Sequence, residues 1–233
     1  MKTIKNDLKE MSLAKAARIS GFGLLVMILT VPFAEFYIFP KIISEDATLT
    51  FKNIIEDRTL FTVGVLFHFI TLICDIIVAW SLYIFLKPIN QNLSLLVAWF
   101  RLSYVAMYLV VLTNFIKILN LLDIGKQLEI PQQYQISAIA FYMNSFKLEW
   151  SFSLMLFGVY LIILGYLVFK AEYVPKIFGI LLIIAGLGYL INTFCLFLFP
   201  NLDSSFLLIT FFGEMIFMLW LLIKGTRIKK IEQ

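Results

Sequence analysis

Long apolar stretches, each about as long as a membrane-crossing helix, alternate with short polar segments along this chain of 233 residues. An apolar helix needs about 20 residues to cross the hydrocarbon core of a bilayer. By that measure the pattern predicts spans at 19–39, 61–86, 93–122, 144–169, 175–199 and 205–224. Apolar runs this continuous do not fit the alternating strands of a membrane barrel. The predicted fold is therefore an all-α membrane protein, with six transmembrane helices in one bundle.

Some boundaries of this prediction leave alternatives open. The fourth span could begin as early as Pro131, which would give a helix that projects beyond the bilayer. The segment 48–58 could form a short interfacial helix or a plain loop. The tail 1–18 contains an amphipathic stretch, which could lie on an anionic leaflet or serve only as a basic tail. The tail 225–233 is predicted to be cytoplasmic and basic.

Composition agrees with a lipid environment. Hydrophobic residues make up 61% of the chain and charged residues 15%, whereas soluble domains have about half and about a quarter. The net charge of +4 does not indicate nucleic-acid binding, because the basic residues lie in tails and loops and not on one folded face. Cys74 and Cys195 both fall in apolar stretches without a CxxC spacing, so we interpret them as small buried side chains.

The basic residues predict how the spans are oriented. Twelve of the nineteen lysines and arginines fall in the two tails and the loops after the second and fourth spans, and four fall on the other side: Lys41, Lys52, Arg58 and Lys126. The other three lie within spans. Loops rich in lysine and arginine stay on the cytoplasmic side of a membrane. Both termini are therefore predicted to be cytoplasmic.

Glycines repeat with a spacing of seven in two neighbouring spans, at Gly158 and Gly165 and again at Gly179 and Gly186. Seven residues return to nearly the same face of a helix, so each helix has a stripe of small residues. Small residues let helix backbones approach closely in lipid. The fourth and fifth spans are therefore predicted to form a tight antiparallel hairpin.

Two ionisable residues of opposite charge lie deep within neighbouring spans. A charged residue near the centre of a span costs about 2.5–3.5 kcal/mol, so it needs a partner or a cavity. Asp75 lies about 18 Å from the boundary at Lys87, and Arg101 lies about 12 Å from the boundary at Leu93. The arginine side chain is long enough to close the difference. We predict a buried Asp75–Arg101 ion pair, whose role could be structural or functional.

Other polar residues gather in the predicted outward half of the bundle. His68, the single histidine, lies on the same helix face as Asp75 and about 10 Å further out, where depth alone gives it no partner. Our hypothesis is an outward-facing polar pocket, floored by Asp75 and Arg101. Its candidate ligand-binding residues are His68, Glu149, Glu214, Glu35 and Asn192. The alternative is that glutamates such as Glu35 and Glu149 only extend to the interface.

The sequence gives little support for a cofactor, a metal or a familiar enzyme. One histidine among carboxylates lacks the HExxH spacing of a zinc site, and no cofactor or metal is predicted. A Walker sequence, a GxSxG elbow and a dinucleotide fingerprint are all missing from the chain. A proton-linked role needs only titratable groups in contact with water, and histidine changes its charge near neutral pH.

Three stretches of the chain resemble a known family: LICDIIVAWSLYIFLKPINQNLSLLVAWFRL, FGVYLIILGYLVFKAEYVPKIFGILLIIAGLGYLI and GEMIFMLWLLIKG. Together they are similar to the bacterial membrane proteins called domain of unknown function 4386. The matching positions are Asp75, Lys87, Pro88, Arg101, Gly158, Gly165, Pro175, Gly179, Gly186 and Glu214. The resemblance implies a six-span protein of the bacterial cytoplasmic (inner) membrane and no established activity. The family pattern tends to have histidine where this chain has Tyr160.

These observations favour a non-enzymatic protein that binds, senses or transports a small molecule or a lipid through the outward-facing pocket. A membrane-embedded enzyme that acts on a lipid or lipid-linked substrate is the first alternative. A structural partner subunit of a membrane complex is the second. The expected partners are the lipid bilayer and a lipid or small-molecule ligand, without nucleic acid, and the sequence leaves room for a homo-oligomer.

Overall fold

The computed structural model describes residues 11–199, 201–202 and 204–225, and this part of the chain is helical and contains no strand. Its α-helices are α1 (Leu13–Phe33), α2 (Phe39–Ile42), α3 (Ala47–Glu56), α4 (Arg58–Leu86), α5 (Gln91–Gln127), α6 (Gln132–Lys170), α7 (Lys176–Leu198) and α8 (Phe212–Ile223). A π-helical segment, Ala34–Ile38, joins α1 to α2, and a 3-10 segment, Ser205–Phe211, leads into α8. The predictions for the tails at 1–10 and 226–233 lie outside the described residues.

Five helical units are long and apolar enough to cross a membrane: Leu13–Ile42, Arg58–Leu86, Gln91–Gln127, Gln132–Lys170 and Lys176–Leu198. A shorter apolar helix, Ile209–Ile223, follows them. The predicted all-α class is therefore confirmed for the described chain. The length and composition of these helices are those of a membrane protein.

Several helices run further than the apolar stretches that predicted them. The first continues through the π-helical segment to Ile42, and the fourth long helix, α6, begins at Gln132, directly after Pro131. The segment at 48–58, for which a loop was the alternative, contains the helix α3. Asp46 begins α3 by accepting a hydrogen bond from the Thr48 N–H at 2.7 Å, which is a typical N-cap.

The six apolar helices form a ring in which neighbours along the chain are also neighbours in space. α1 packs on α4, α4 on α5, α5 on α6 and α6 on α7, while α8 contacts both α7 and α1 and so closes the ring. Large apolar side chains, such as Ile73, Trp80 and Trp99, are exposed on the outside of the bundle. Exposed apolar side chains on long apolar helices fit a surface that faces lipid.

The predicted glycine seam joins α6 to α7. A Cβ atom added at Gly165 would lie 2.6 Å from the Gly179 carbonyl oxygen, and one added at Gly186 would lie 2.6 Å from the Gly158 carbonyl oxygen. Any side chain at these positions would push the two backbones apart. The four glycines therefore set the distance between α6 and α7.

Hydroxyl pairs join α1 to α4. Ser20 and Ser81 are hydrogen-bonded at 2.7 Å, and Thr30 and Thr71 are hydrogen-bonded at 2.7 Å. Each of these hydroxyls also lies within hydrogen-bond distance of a carbonyl of its own helix, so one hydroxyl of each pair donates to that carbonyl while the other donates to its partner. Polar contacts between helices stabilise a bundle that has no hydrophobic driving force in lipid.

Candidate functional site

Two polar clusters lie where α4 faces α5. His68 and Asp75 are seven residues apart on α4, and Tyr108 and Arg101 are seven residues apart on the antiparallel helix α5. Because both spacings are almost two turns, His68 meets Tyr108 at one level and Asp75 meets Arg101 at another, about 10 Å away along the helix. We call these levels the histidine cluster (Glu35, His68, Tyr108) and the arginine cluster (Asp75, Arg101, Tyr160, Glu214).

The arginine cluster contains a buried ion pair. Arg101 Nε donates to Asp75 Oδ1 at 2.8 Å, and Arg101 Nη2 lies 2.5 Å from the same oxygen. Arg101 Nη1 donates to the Tyr160 hydroxyl at 2.5 Å. The side chains of Asp75 and Arg101 are 0% and 1% exposed. The structure thus brings together the two residues for which the sequence predicts an ion pair.

Glu214 belongs to the same cluster and arrives from α8. It lies in the first turn of that helix and, with Arg101 and Tyr160, lines a cavity of about 10 Å³. Glu214 also interacts electrostatically with Arg101 and Tyr189. A cavity needs at least about 10–15 Å³ to hold one water molecule. This cavity is therefore at the lower limit for a single water and far too small for an organic ligand.

The histidine cluster places the buried imidazole between a carboxylate and a phenol. His68 Nε2 lies 3.2 Å from Glu35 Oε1, and His68 Nδ1 is hydrogen-bonded to the Tyr108 hydroxyl. The His68 side chain is 0% exposed, whereas that of Glu35 is 27% exposed. The Nε2–Oε1 contact is not aligned as a hydrogen bond, since neither atom has a hydrogen-bond partner in the described chain, so with Nε2 protonated the two groups form an ion pair while Nδ1 accepts from Tyr108. Glu35 thus connects the buried ring to the surface.

Aromatic rings enclose His68 on its other sides. The Phe39 ring stacks on the imidazole at 5.5 Å with an angle of 13° between the planes. Phe115, Phe146 and Trp150 lie within 6.0 Å of it, centroid to centroid. These rings keep water away from the imidazole except on the side of Glu35, and the stacked face of Phe39 favours a positive charge on it.

The π-helical segment explains why Glu35 and Phe39 both reach His68. The Phe39 N–H bonds to the Ala34 carbonyl, five residues back, and the wider turn precedes Pro40, which has no N–H to donate. Gly64 on α4 leaves room for the Phe39 ring, which lies 2.7 Å from where a Cβ at Gly64 would be. π-helical turns occur often at functional sites.

The predicted isolation of His68 is corrected by these contacts. The first span was predicted to end at residue 39, which placed Glu35 near its outer end, and depth alone gave His68 no partner. The helix instead continues to Ile42, so Glu35 lies more than a turn inside its end. Tyr108 was missed because tyrosine counted as an aromatic residue of the span. Tyr108 is seven residues from Arg101, as His68 is from Asp75, and this equal spacing could have indicated that Tyr108 lies beside His68.

The structure distributes the five candidate ligand-binding residues over four places. Glu35 and His68 lie together, and Glu214 lies beside Arg101. Glu149 is exposed and accepts a hydrogen bond from Asn114 at 2.8 Å. Asn192 accepts a hydrogen bond from Ser204 at 3.0 Å, near the start of the 3-10 segment. A larger groove, of about 450 Å³, lies between α3 and the start of α6, and none of the five lines it.

The profile of a family called domain of unknown function (DUF4386) matches residues 19–225, a range that includes the helices of both clusters. The chain belongs to the DUF4386 family. A relative described as an uncharacterized protein, from Archaeoglobus fulgidus, is 32% identical over 163 residues, covering 70% of this chain and 84% of that protein. No solved structure matches the chain. Membership confirms the resemblance seen in the sequence and assigns no activity.

Proposed function

We propose that this DUF4386 protein is a non-enzymatic membrane protein that binds protons from the outer side of the membrane at its histidine cluster and responds to them. The observation that carries the proposal is the contact between Glu35, which is partly exposed, and His68, which is completely buried. A carboxylate at the surface can pass a proton to an imidazole behind it. The imidazole is the side chain that changes charge near neutral pH.

The closed interior favours the proton over a larger ligand. The cavity beside Arg101 measures about 10 Å³, and aromatic rings fill the space around His68. A lipid headgroup or a metabolite would need these helices to separate, whereas a proton needs only a chain of donors and acceptors. Binding, sensing and proton-coupled transport all begin with the uptake of a proton at this cluster.

A topology of six spans with both termini in the cytoplasm is part of the proposal. The 3-10 segment and α8 contain 7 and 12 residues. At about 2.0 and 1.5 Å per residue, these lengths add to about 32 Å, which is enough for a hydrocarbon core of about 30 Å. The excess of lysine and arginine in the tails and in the loops after α4 and α6 supports cytoplasmic termini. With that orientation Glu35 lies on the outer side.

The single histidine makes the proposal directly testable. The full chain, purified without a histidine tag and carrying isotope-labelled histidine, gives the NMR signals of one imidazole, that of His68. Its carbon and nitrogen shifts, measured between about pH 5 and 8, should report the proton that the histidine cluster binds. Glu35→Gln should alter this pH response, because the imidazolium loses the opposite charge 3.2 Å away.

Glu45→Gln is the matched control, since Glu45 is an exposed glutamate in the loop that follows α2. It removes the same charge from the same end of the bundle and should leave the pH response unchanged. Shifts that stay constant over this pH range would overturn the proposal. An identical pH response in wild type and Glu35→Gln would show that Glu35 does not connect His68 to the surface.

A further inference from the structure

The arginine cluster contains more acidic groups than basic ones. Asp75 and Glu214 carry two carboxyl groups, and Arg101 supplies one guanidinium, which stays charged at any accessible pH. With both carboxyl groups ionised, the cluster would hold a net negative charge inside an apolar bundle. An uncompensated buried charge is far more costly than a neutral group. One further positive charge therefore has to be bound for the cluster to be neutral.

We propose that the arginine cluster binds one exchangeable proton, held by the two carboxyl groups of Asp75 and Glu214. This site is separate from the histidine cluster, and the inference holds whether or not His68 titrates. The bound proton makes one carboxyl group neutral, while the other balances Arg101. Loss of the proton leaves the cluster with a charge of −1, which Arg101 and the surrounding hydroxyls must then stabilise.

An unpartnered oxygen gives independent support for this site. Both guanidinium contacts go to Asp75 Oδ1, and Asp75 Oδ2 is buried without a hydrogen-bond partner in the described chain. A buried carboxylate oxygen that accepts nothing is costly. A proton bound there would neutralise the carboxylate, and a water carried in with it would accept a hydrogen bond from the new O–H group. Glu214 reaches the cluster from the other side and lines the cavity beside Arg101.

The groups around Glu214 fit a proton better than a metal ion. The charged and titratable side chains that interact electrostatically with Glu214 come from α4 (Asp75), α5 (Arg101 and Tyr104), α6 (Tyr160) and α7 (Tyr189). The one α1 residue that lines the cavity in the described chain is the apolar Leu24. The remaining lining is leucine and phenylalanine. A metal ion would need several oxygen ligands and more room than about 10 Å³.

A column of aromatic side chains from α5 and α6 lies between the two clusters. The Tyr104 ring stacks on Tyr108 at 5.7 Å and contacts Phe157 at 4.9 Å, and Phe157 in turn contacts Tyr160 at 5.2 Å. Tyr104 also interacts electrostatically with both Asp75 and Glu214.

Infrared difference spectroscopy of the full chain in liposomes tests the inference. A protonated carboxyl group in an apolar site has a C=O stretch that is well separated from that of a carboxylate, and it shifts in D₂O. We expect wild type to lose one such band, equivalent to one carboxyl group per chain, as the pH is raised. Glu214→Gln should abolish the change. Glu172→Gln, at an exposed glutamate in the turn between α6 and α7, should retain it.

Three results would overturn the inference: a wild-type protein with no pH-dependent carboxyl band, a band that survives in both Glu214→Gln and Asp75→Asn, or a band that responds to Na⁺ at constant pH. The wild-type measurement tests whether the arginine cluster binds a proton even if Glu214→Gln fails to fold. The histidine NMR experiment is independent, so a failure here and a failure of the proposed function can be told apart.

Discussion

Removing the Arg101 side chain should destabilise the protein more than any comparable change at its surface. Arg101→Met deletes the guanidinium that contacts Asp75 at 2.5 and 2.8 Å and Tyr160 at 2.5 Å, and it leaves the buried Asp75 carboxyl group without its partner. Loss of one partner from a buried ion pair costs about 3–5 kcal/mol. At about 2–4 °C per kcal/mol for a protein of this size, the melting midpoint should fall by about 6–20 °C.

A double-mutant cycle separates the ion pair from other effects of the substitution. Asp75→Leu combined with Arg101→Met replaces both charges with apolar side chains, a change that is often nearly neutral for a buried pair. We expect the double variant to recover at least half of the stability that Arg101→Met loses. The assay is the fraction of protein that remains monodisperse by size exclusion after heating in detergent.

The structure offers a matched control at the end of the same two helices. Arg58 on α4 and Asp123 on α5 form a two-contact pair at 2.5 and 2.7 Å, but their side chains are 45% and 51% exposed. Because water and salt screen an exposed pair, Arg58→Met should shift the midpoint by no more than about 4 °C. Equal losses for Arg58→Met and Arg101→Met, or strictly additive losses in the cycle, would refute the reasoning.

Two further predictions concern the bundle itself. Gly179→Ala would place a Cβ 2.6 Å from the Gly165 carbonyl oxygen, so α6 and α7 would have to separate, and the midpoint should fall by about 2–12 °C in the same assay. Gly225→Ala, whose Cβ would meet its nearest atom at 3.0 Å, is the control, and an equal loss there would argue against the seam. For the topology, a cysteine at position 45 in a chain without Cys74 and Cys195 should react with an impermeant maleimide in intact cells. One at position 172 should react only after lysis, and the reverse pattern would contradict the proposed orientation.

The contact between Asp75 and Arg101 could be predicted from the sequence because it follows from the depth of each residue and from the short turn between their helices. Charged residues stand out in an apolar run, the short turn fixes the two helices as neighbours, and the rise per residue gives each depth. The glycine seam was accessible for a similar reason, since its spacing of seven lies in the printed sequence. Both inferences needed no knowledge of where any helix bends.

The contact between Glu35 and His68 could not be reached in this way. It depends on a π-helical turn and on a helix that continues past Pro40, and apolar periodicity does not reveal either feature. The sequence also could not predict that the five candidate residues lie in four separate places. The position of a residue along its helix gives its height in the bundle. Whether two residues at one height form a pair depends on the direction in which each helix turns that face, and the packing of the helices around the ring determines this direction.

The position of α8 in the ring has a consequence for how the protein is made. This helix contacts both α7 and α1, and it follows the other ring helices in the chain. While the ribosome is still producing it, α1 and α7 lack this neighbour, and the cavity beside Arg101 lacks the side that Glu214 forms. Membrane insertion would therefore pass through a stage at which the arginine cluster has only one of its two carboxyl groups. The arrival of Glu214 would then seal it and fix the final charge of the interior.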